Sequence, residues 1–180
     1  MKLILISGKA QHGKDTTASI IKGILNSRRP DIRVKIAHLG DLLKYMCREY
    51  AGWDGNKNKT GRTLLQRYGT DIIRNDDPTY WVDFMADIIK WFRDCWDFFI
   101  IPDIRFKNEV DKLDGDDTIK IRVVRPGFDN GLSEEQRSHI SETDLDDYTD
   151  WTYVISNDAT LLDLHNTVEK LLISLEGNCI

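Results

Sequence analysis

Two stretches of this 180-residue chain pair residue types and spacings that suit phosphate chemistry. The first is Gly8-Lys9-Ala10-Gln11-His12-Gly13-Lys14, which fits G-x-x-x-x-G-K. Its glycines let backbone N–H groups wrap an anion, Lys14 can reach outer phosphates as a point charge, and a helix starting there adds the positive end of its dipole. The Ser or Thr that usually follows the lysine and helps hold magnesium is replaced by Asp15, with Thr16 and Thr17 next. A carboxylate beside phosphates makes sense only with a cation present, which points to Mg2+ near Asp15 and Thr16. The loop and helix start, Gln11, Gly13, Lys14, Asp15, Thr16 and Thr17, form the expected nucleotide triphosphate site. The second stretch is Asp103 with Arg105, just after the apolar run 98–101 and Pro102. An acid at a strand end can carry a magnesium-linked or substrate-linked carboxylate opposite a phosphate loop, and an arginine beside it can clamp a phosphate with its two-pronged guanidinium. Standing alone, the pair would read equally well as a turn acid and a surface arginine.

These groups need elements to hold them. Residues 2–7 (KLILIS) form an aliphatic run closed by glycine, suited to a buried parallel strand, and 16–25 read as helix. A strand is expected at 32–38, a helix at 41–50, and a loop at 52–61 (GWDGNKNKTG). Helical spacing returns at 62–74, and Pro78 opens a further helix with Val82, Met85, Ile89 and Phe92 on one face. Strands follow at 98–101, 118–124 and 153–155, and an amphipathic helix at 161–175. Residues 125–150 are polar without periodicity, as in a mobile covering loop with a short helix at most. Strand and helix alternate throughout, which predicts an α/β doubly wound domain: a mainly parallel five-stranded sheet flanked by helices, with a helical cap at about 40–93 and a polar lid at about 125–145.

Composition excludes several classes. At 41% hydrophobic and 31% charged residues the chain can bury a core and is neither disordered nor fibrous. The net charge of −5 hides +9 before Asp76 and −14 after it, so the first part attracts anions, while the negative total argues against a dedicated duplex-binding protein. Cys47, Cys95 and Cys179 are far apart and form no C-x-x-C pair, which fits a reducing cytoplasmic setting with neither disulfides nor a zinc site. The run 3–6 is too short for a signal-peptide core, and nothing approaches the ~20 apolar residues of a membrane helix. Trp81, Trp91 and Trp96 read as core or pocket residues.

Several phrases in order along the chain resemble the bacteriophage-type deoxynucleoside monophosphate kinases: GKDTTA, LLQRYGTDIIRN followed by YW, IPDIRFKNEVD, VVRPG, HISETDL and VISNDATLLDL. The resemblance implies a P-loop kinase-like fold, ATP as phosphoryl donor with Mg2+, a deoxynucleoside monophosphate substrate, and a homodimer. It places Gly13, Lys14, Asp15 and Thr16 at the ATP phosphates and Asn157 with Asp158 near the adenine. Leu43, Lys44, Arg62, Gln66, Gly69, Thr70, Arg74, Trp81, Arg105 and Glu109 fall at the acceptor nucleotide, with Asp103 as metal or catalytic carboxylate. Trp81 has two readings of equal weight, stacking on a base or packing between helices. Arg125 and Arg137 flank the lid and would move onto the transferring group, while His139, Ser141 and Glu142 organise it, His139 as a hydrogen-bonding residue. The family often has a basic residue near positions 10 and 11; here Ala10 and Gln11 stand between Lys9 and His12, so the backbone cradle carries over and the side-chain contacts do not. Two other readings stay open: a kinase of small phosphorylated metabolites, resembling phosphomevalonate kinase, and a non-kinase P-loop ATPase. No N-K-x-D guanine motif sits in a suitable loop.

Overall fold

The computed structural model describes residues 1–177, and side-chain surroundings through residue 175; Cys179 lies outside the described residues. The elements run β1 (Lys2–Ser7), α1 (Lys14–Arg28), β2 (Val34–Ile36), α2 (Gly40–Ala51), α3 (Lys59–Gln66), a π-helical segment Arg67–Ile72, α4 (Ile73–Asp76) and α5 (Tyr80–Phe92). After a 3-10 turn at Arg93–Cys95 come β3 (Phe98–Ile104), α6 (Lys107–Leu113), β4 (Thr118–Val124), α7 (Glu134–Ser138), α8 (Ile140–Thr143), β5 (Tyr153–Ser156) and α9 (Leu161–Gly177). One five-stranded sheet is ordered β2-β3-β1-β4-β5, and every pairing is parallel.

β1 is central because its side chains can be buried on both faces. Strand alternation sends Ile4 and Ile6 to one side, where Ile100, Ile121, Val123 and Ile155 join Ile21 and Leu25 of α1 and Val168 of α9. Leu3 and Leu5 go to the other side, against Phe99, Ile101, Val82 and Met85 of α5, and Val110 of α6. No helix among the described residues is long and apolar enough to cross a membrane.

Five local readings change. β3 does not stop at Ile101 but continues through Pro102 to Ile104. Its register slips there: Leu5 pairs with Ile101 and Ser7 with Ile104, so β3 spends one extra residue. A bulge is where a strand tolerates a proline, and it turns Asp103 out of the ladder. The expected helix 62–74 starts earlier, at Lys59, because the Asn58 side chain accepts from Gly61 N at 2.9 Å, and its middle is π-wound. α6 was not expected; it starts because Glu109 Oε2 accepts from Arg105 N at 2.7 Å and Phe106 N at 3.1 Å. The segment after β4 holds two short helices, α7 and α8. Trp81 is buried, but Trp91 is 64% exposed and is no core residue.

Candidate active site

The carboxyl ends of the strands open into a cleft with a volume of about 480 Å3. Lys14 comes from the start of α1, His38 from the end of β2, Asp103 and Arg105 from the end of β3, and the cap wall from α2, α3 and the π segment. This is where a parallel sheet exposes loops around a shared crevice.

The phosphate loop is shaped by glycines. A Cβ on Gly8 would lie 2.3 Å from Val123 O, and Gly13 sits at φ +98 with Asn157 Nδ2 2.5 Å from where its Cβ would be. Gln11 takes φ +62, a left-handed conformation that few residues with a side chain adopt. α1 has no side-chain cap, which leaves its first N–H groups for a ligand. Lys14 is buried and its Nζ donates to Lys9 O at 2.8 Å. Burial, then the nearby Arg105 guanidinium, push its amine down to about 7, against the pull of Glu142, Asp15 and Asp103.

Asp103 accepts from Leu39 N at 2.9 Å on one oxygen and from Gly40 N at 3.0 Å on the other, so it also caps α2. Asp15 accepts from His38 Nε2 at 2.8 Å, a bond that lowers the Asp15 pKa and raises that of His38. Arg105 pairs with Glu142, whose other oxygen accepts from Ala10 N in the phosphate loop at 2.9 Å. Arg74 and Glu109 form a buried pair at 2.8 Å, with the Arg74 guanidinium 3.7 Å from the Phe106 ring centre and Asn108 at 2.7 Å. Burial pushes the Glu109 carboxyl up to about 7 although Arg74 and two backbone N–H groups draw it down.

Gln11, Lys14, Asp15, Leu43, Lys44, Arg62, Gln66, Gly69, Thr70, Arg74, Trp81, Asp103, Arg105 and Glu109 all line this one cleft. The π segment explains part of this: it lays Gly69 against Leu43, whose Cδ2 leaves no room for a Cβ, and turns the Gly69 carbonyl to accept from Trp81 Nε1 at 2.9 Å. Trp81 is thus an anchored wall residue. Seven expected residues stand apart from the cleft lining, among them Asp158, whose carboxylate accepts from Ser156 Oγ at 3.0 Å. Thr16 is exposed on α1, and Thr17 is buried with its hydroxyl bonded to Gly13 O at 2.9 Å. Gly13 and Asn157 hold the loop from behind, Asn157 Nδ2 donating to His12 O at 2.9 Å. Arg125 lies over the Phe128 ring at 3.8 Å, and Arg137 is paired with Asp129 at 2.5 Å. Lys9, the nearest loop cation, is paired with Asp146 at 2.8 Å.

His139 receives a hydrogen bond from Ser141 N at 3.2 Å and donates from Nε2 to Asp71 Oδ1 at 3.2 Å, tying the lid to the π segment. The cleft also includes His38, Lys57, Leu132 and Gln136, which sequence reading missed. His38 could have been found by the strand-end rule that found Asp103, and Gln136 by the capping pattern Ser133-x-x-Gln136; nothing in the sequence singles out Lys57 within its lysine-rich loop.

No group of three or more His, Cys, Asp or Glu that could cage a metal occurs among the described residues. Asp15 and Asp103 face one cleft beside Lys14, a donor set that suits magnesium carried on phosphates with one or two carboxylates rather than an all-protein cage.

The sheet order, the glycine-shaped loop on α1 and the strand-end cleft define a P-loop α/β protein of the nucleotide-kinase type. Dephospho-CoA kinase from Campylobacter jejuni shares this fold, with a TM-score of 0.51, 11% identity, and 96% of each chain covered. The profile of the family "Deoxynucleotide monophosphate kinase" matches residues 41–168, and the chain belongs to that family. Two enzymes named deoxynucleotide monophosphate kinase, from Enterobacteria phage T4 and Escherichia phage RB69, are 35% and 31% identical to it over 113 residues, 62% of this chain. The chain spans 44% of the length of these curated relatives. The family match begins after the phosphate loop, so the reading of that loop rests on its own geometry.

Proposed function

We propose that the chain transfers the terminal phosphoryl group of ATP to a deoxynucleoside 5′-monophosphate, giving ADP and the diphosphate. The observation that carries this is the meeting, in one cleft, of the phosphate-loop lysine, the strand-end Asp103 and Arg105, and a cap bearing Lys44 and Arg62. The membership in the family supports the choice of acceptor.

Transfer of this kind needs two anions held in line, water kept out and charge neutralised. The phosphorus–oxygen bond to the ADP leaving group breaks as an oxygen of the acceptor phosphate bonds to the same phosphorus. The loop N–H groups and Lys14 hold the donor phosphates. Arg62 and Arg105 face the acceptor phosphate, while Arg74, held by Glu109 and Asn108, positions the wall around it. Asp15 and Asp103 would hold Mg2+ through the phosphates, and the ion supplies neutralisation of their charge. Leu43, Gln66, Gly69, Thr70 and Trp81 shape the base end. Closure brings Arg125 and Arg137 from their partners Phe128 and Asp129 toward the phosphates, and Asn157 with Asp158 lies toward the adenine. The same reading puts the protein in the cytoplasm as a homodimer, without contact to duplex nucleic acid or membrane.

The test is ADP release measured against a panel of deoxynucleoside monophosphates, ribonucleoside monophosphates and small phosphorylated metabolites. Turnover that depends on a deoxynucleoside monophosphate is expected. Turnover confined to a non-nucleotide metabolite, or ADP release indifferent to any acceptor, contradicts the proposal.

A further inference from the structure

Gln136 is only 6% exposed, yet its Nε2 has no hydrogen-bond partner. The direction of its amide is fixed locally. Ser133 N donates to Gln136 Oε1 at 3.4 Å, and Gln136 N donates to Ser133 Oγ at 3.3 Å, a reciprocal cap on α7. Turning the amide over would set two donors against each other, so the NH2 is the end left over. Glutamate at this position would cap α7 equally well and leave no orphan donor. A buried donor kept without a protein partner is a place where a ligand, an ion or a water can supply the acceptor.

The surroundings say which acceptor. Gln136 lines the cleft and also a second cavity of about 620 Å3, and Gln11, Lys57, Arg62 and Leu132 are shared by both. Lys57 is exposed at this junction and, among the described residues, no ion pair engages its amine. Arg62 donates from Nε to Lys57 O at 3.0 Å, a neutral partner. Asp129, the carboxylate that lines the second cavity, is held by Arg137. Two cations without an ion pair among the described residues and the free NH2 of an amide whose oxygen is engaged therefore line the same junction. Such a set suits the oxygens of a phosphoryl group more than a base edge, which presents donors as well as acceptors.

We propose that Gln136 and Lys57, together with Arg62, hold the phosphoryl group of the nucleoside monophosphate, with Gln136 Nε2 donating to one of its oxygens. This rests on the kinase reading above and adds two residues to its acceptor site. The lid thereby contacts the acceptor through a neutral donor from α7, while Arg125 and Arg137 rest on Phe128 and Asp129 until closure.

Three variants test it by calorimetric titration with dAMP, dCMP, dGMP and dTMP, each also melted without ligand. Gln136→Glu keeps the α7 cap and removes the donor; it is expected to melt at or above the wild-type temperature while binding is lost. Gln136→Met removes the donor without adding charge and should raise Kd about tenfold or more, by the same factor for every monophosphate the wild type binds. Lys57→Met should raise Kd likewise and flatten its dependence on salt concentration. Unchanged binding by either Met variant, or a loss confined to some bases, overturns the assignment. A wild type that binds none of the four monophosphates would instead sink the kinase reading, and this proposal with it.

Discussion

Replacing Lys14 by methionine is predicted to stabilise the ligand-free protein while abolishing turnover. Lys14 is 7% exposed, and its amine has one protein acceptor, Lys9 O at 2.8 Å. A fall in pKa from 10.5 to about 7 corresponds to about 5 kcal/mol at 1.36 kcal/mol per pKa unit. Methionine keeps the length and removes the charge. It also gives up the bond to Lys9 O and strands that carbonyl, a loss of about 3 kcal/mol. The difference leaves the variant more stable by roughly 2 kcal/mol at pH 7, or about 4–8 °C for a chain of this size. The pH dependence has a definite sign. Between about pH 7 and 10.5 the unfolded wild type keeps a proton that the folded amine has shed, so wild-type stability rises with pH across that window. The advantage of Lys14→Met therefore shrinks by about 1.4 kcal/mol per pH unit above pH 7 and reverses at about pH 8.5, and by about pH 10 the lost hydrogen bond dominates. Urea denaturation at pH 7, 8.5 and 10, with ADP release measured at pH 7, reads both effects. A variant less stable than wild type at pH 7, or equal stability slopes with pH, would refute the reasoning.

Other substitutions separate framework from chemistry. Arg74→Met leaves the Glu109 carboxyl buried without its cation and should cost about 3–5 kcal/mol in urea denaturation, part of which returns in the double variant Arg74→Met, Glu109→Met. Gly13→Ala forces a side chain to φ +98 against Asn157 Nδ2; a loss of about 1–3 kcal/mol is expected, of which adding Asn157→Ala recovers only the contact and not the backbone strain. Asp103→Asn keeps one acceptor oxygen for α2 and opposes an N–H with its amide; thermal melting should show a loss of about 1–2 kcal/mol, and turnover should drop at least tenfold.

What the sequence shows, and what it hides, divides along physical lines. KLILIS reveals β1 because a strand buried on both faces needs an unbroken apolar run, and the phosphate loop is legible because its backbone demands glycine at set places. Asp103 was legible as a strand-end acid, but its capping of α2 depends on a bulge at Pro102 that no pattern in β3 announces. The acceptor wall was found as a set of residues, whereas the π segment that brings Gly69 against Leu43 has the same helical spacing in sequence as an ordinary helix. α6 escaped notice because its start depends on Glu109 folding back on the chain before it, and short polar helices in the lid lack periodicity. Arg125 and Arg137 could be identified as cations near the cleft, but a sequence does not say that one rests on Phe128 and the other on Asp129. Gln136 was hidden for the same reason: its meaning lies in one unpartnered nitrogen.

The most direct measurement is phosphorus NMR of the protein with ATP, Mg2+ and one deoxynucleoside monophosphate, followed over time. The account predicts that ADP and the deoxynucleoside diphosphate appear together in equal amounts, without inorganic phosphate. ADP accumulating with inorganic phosphate, while the monophosphate signal stays constant, would contradict it.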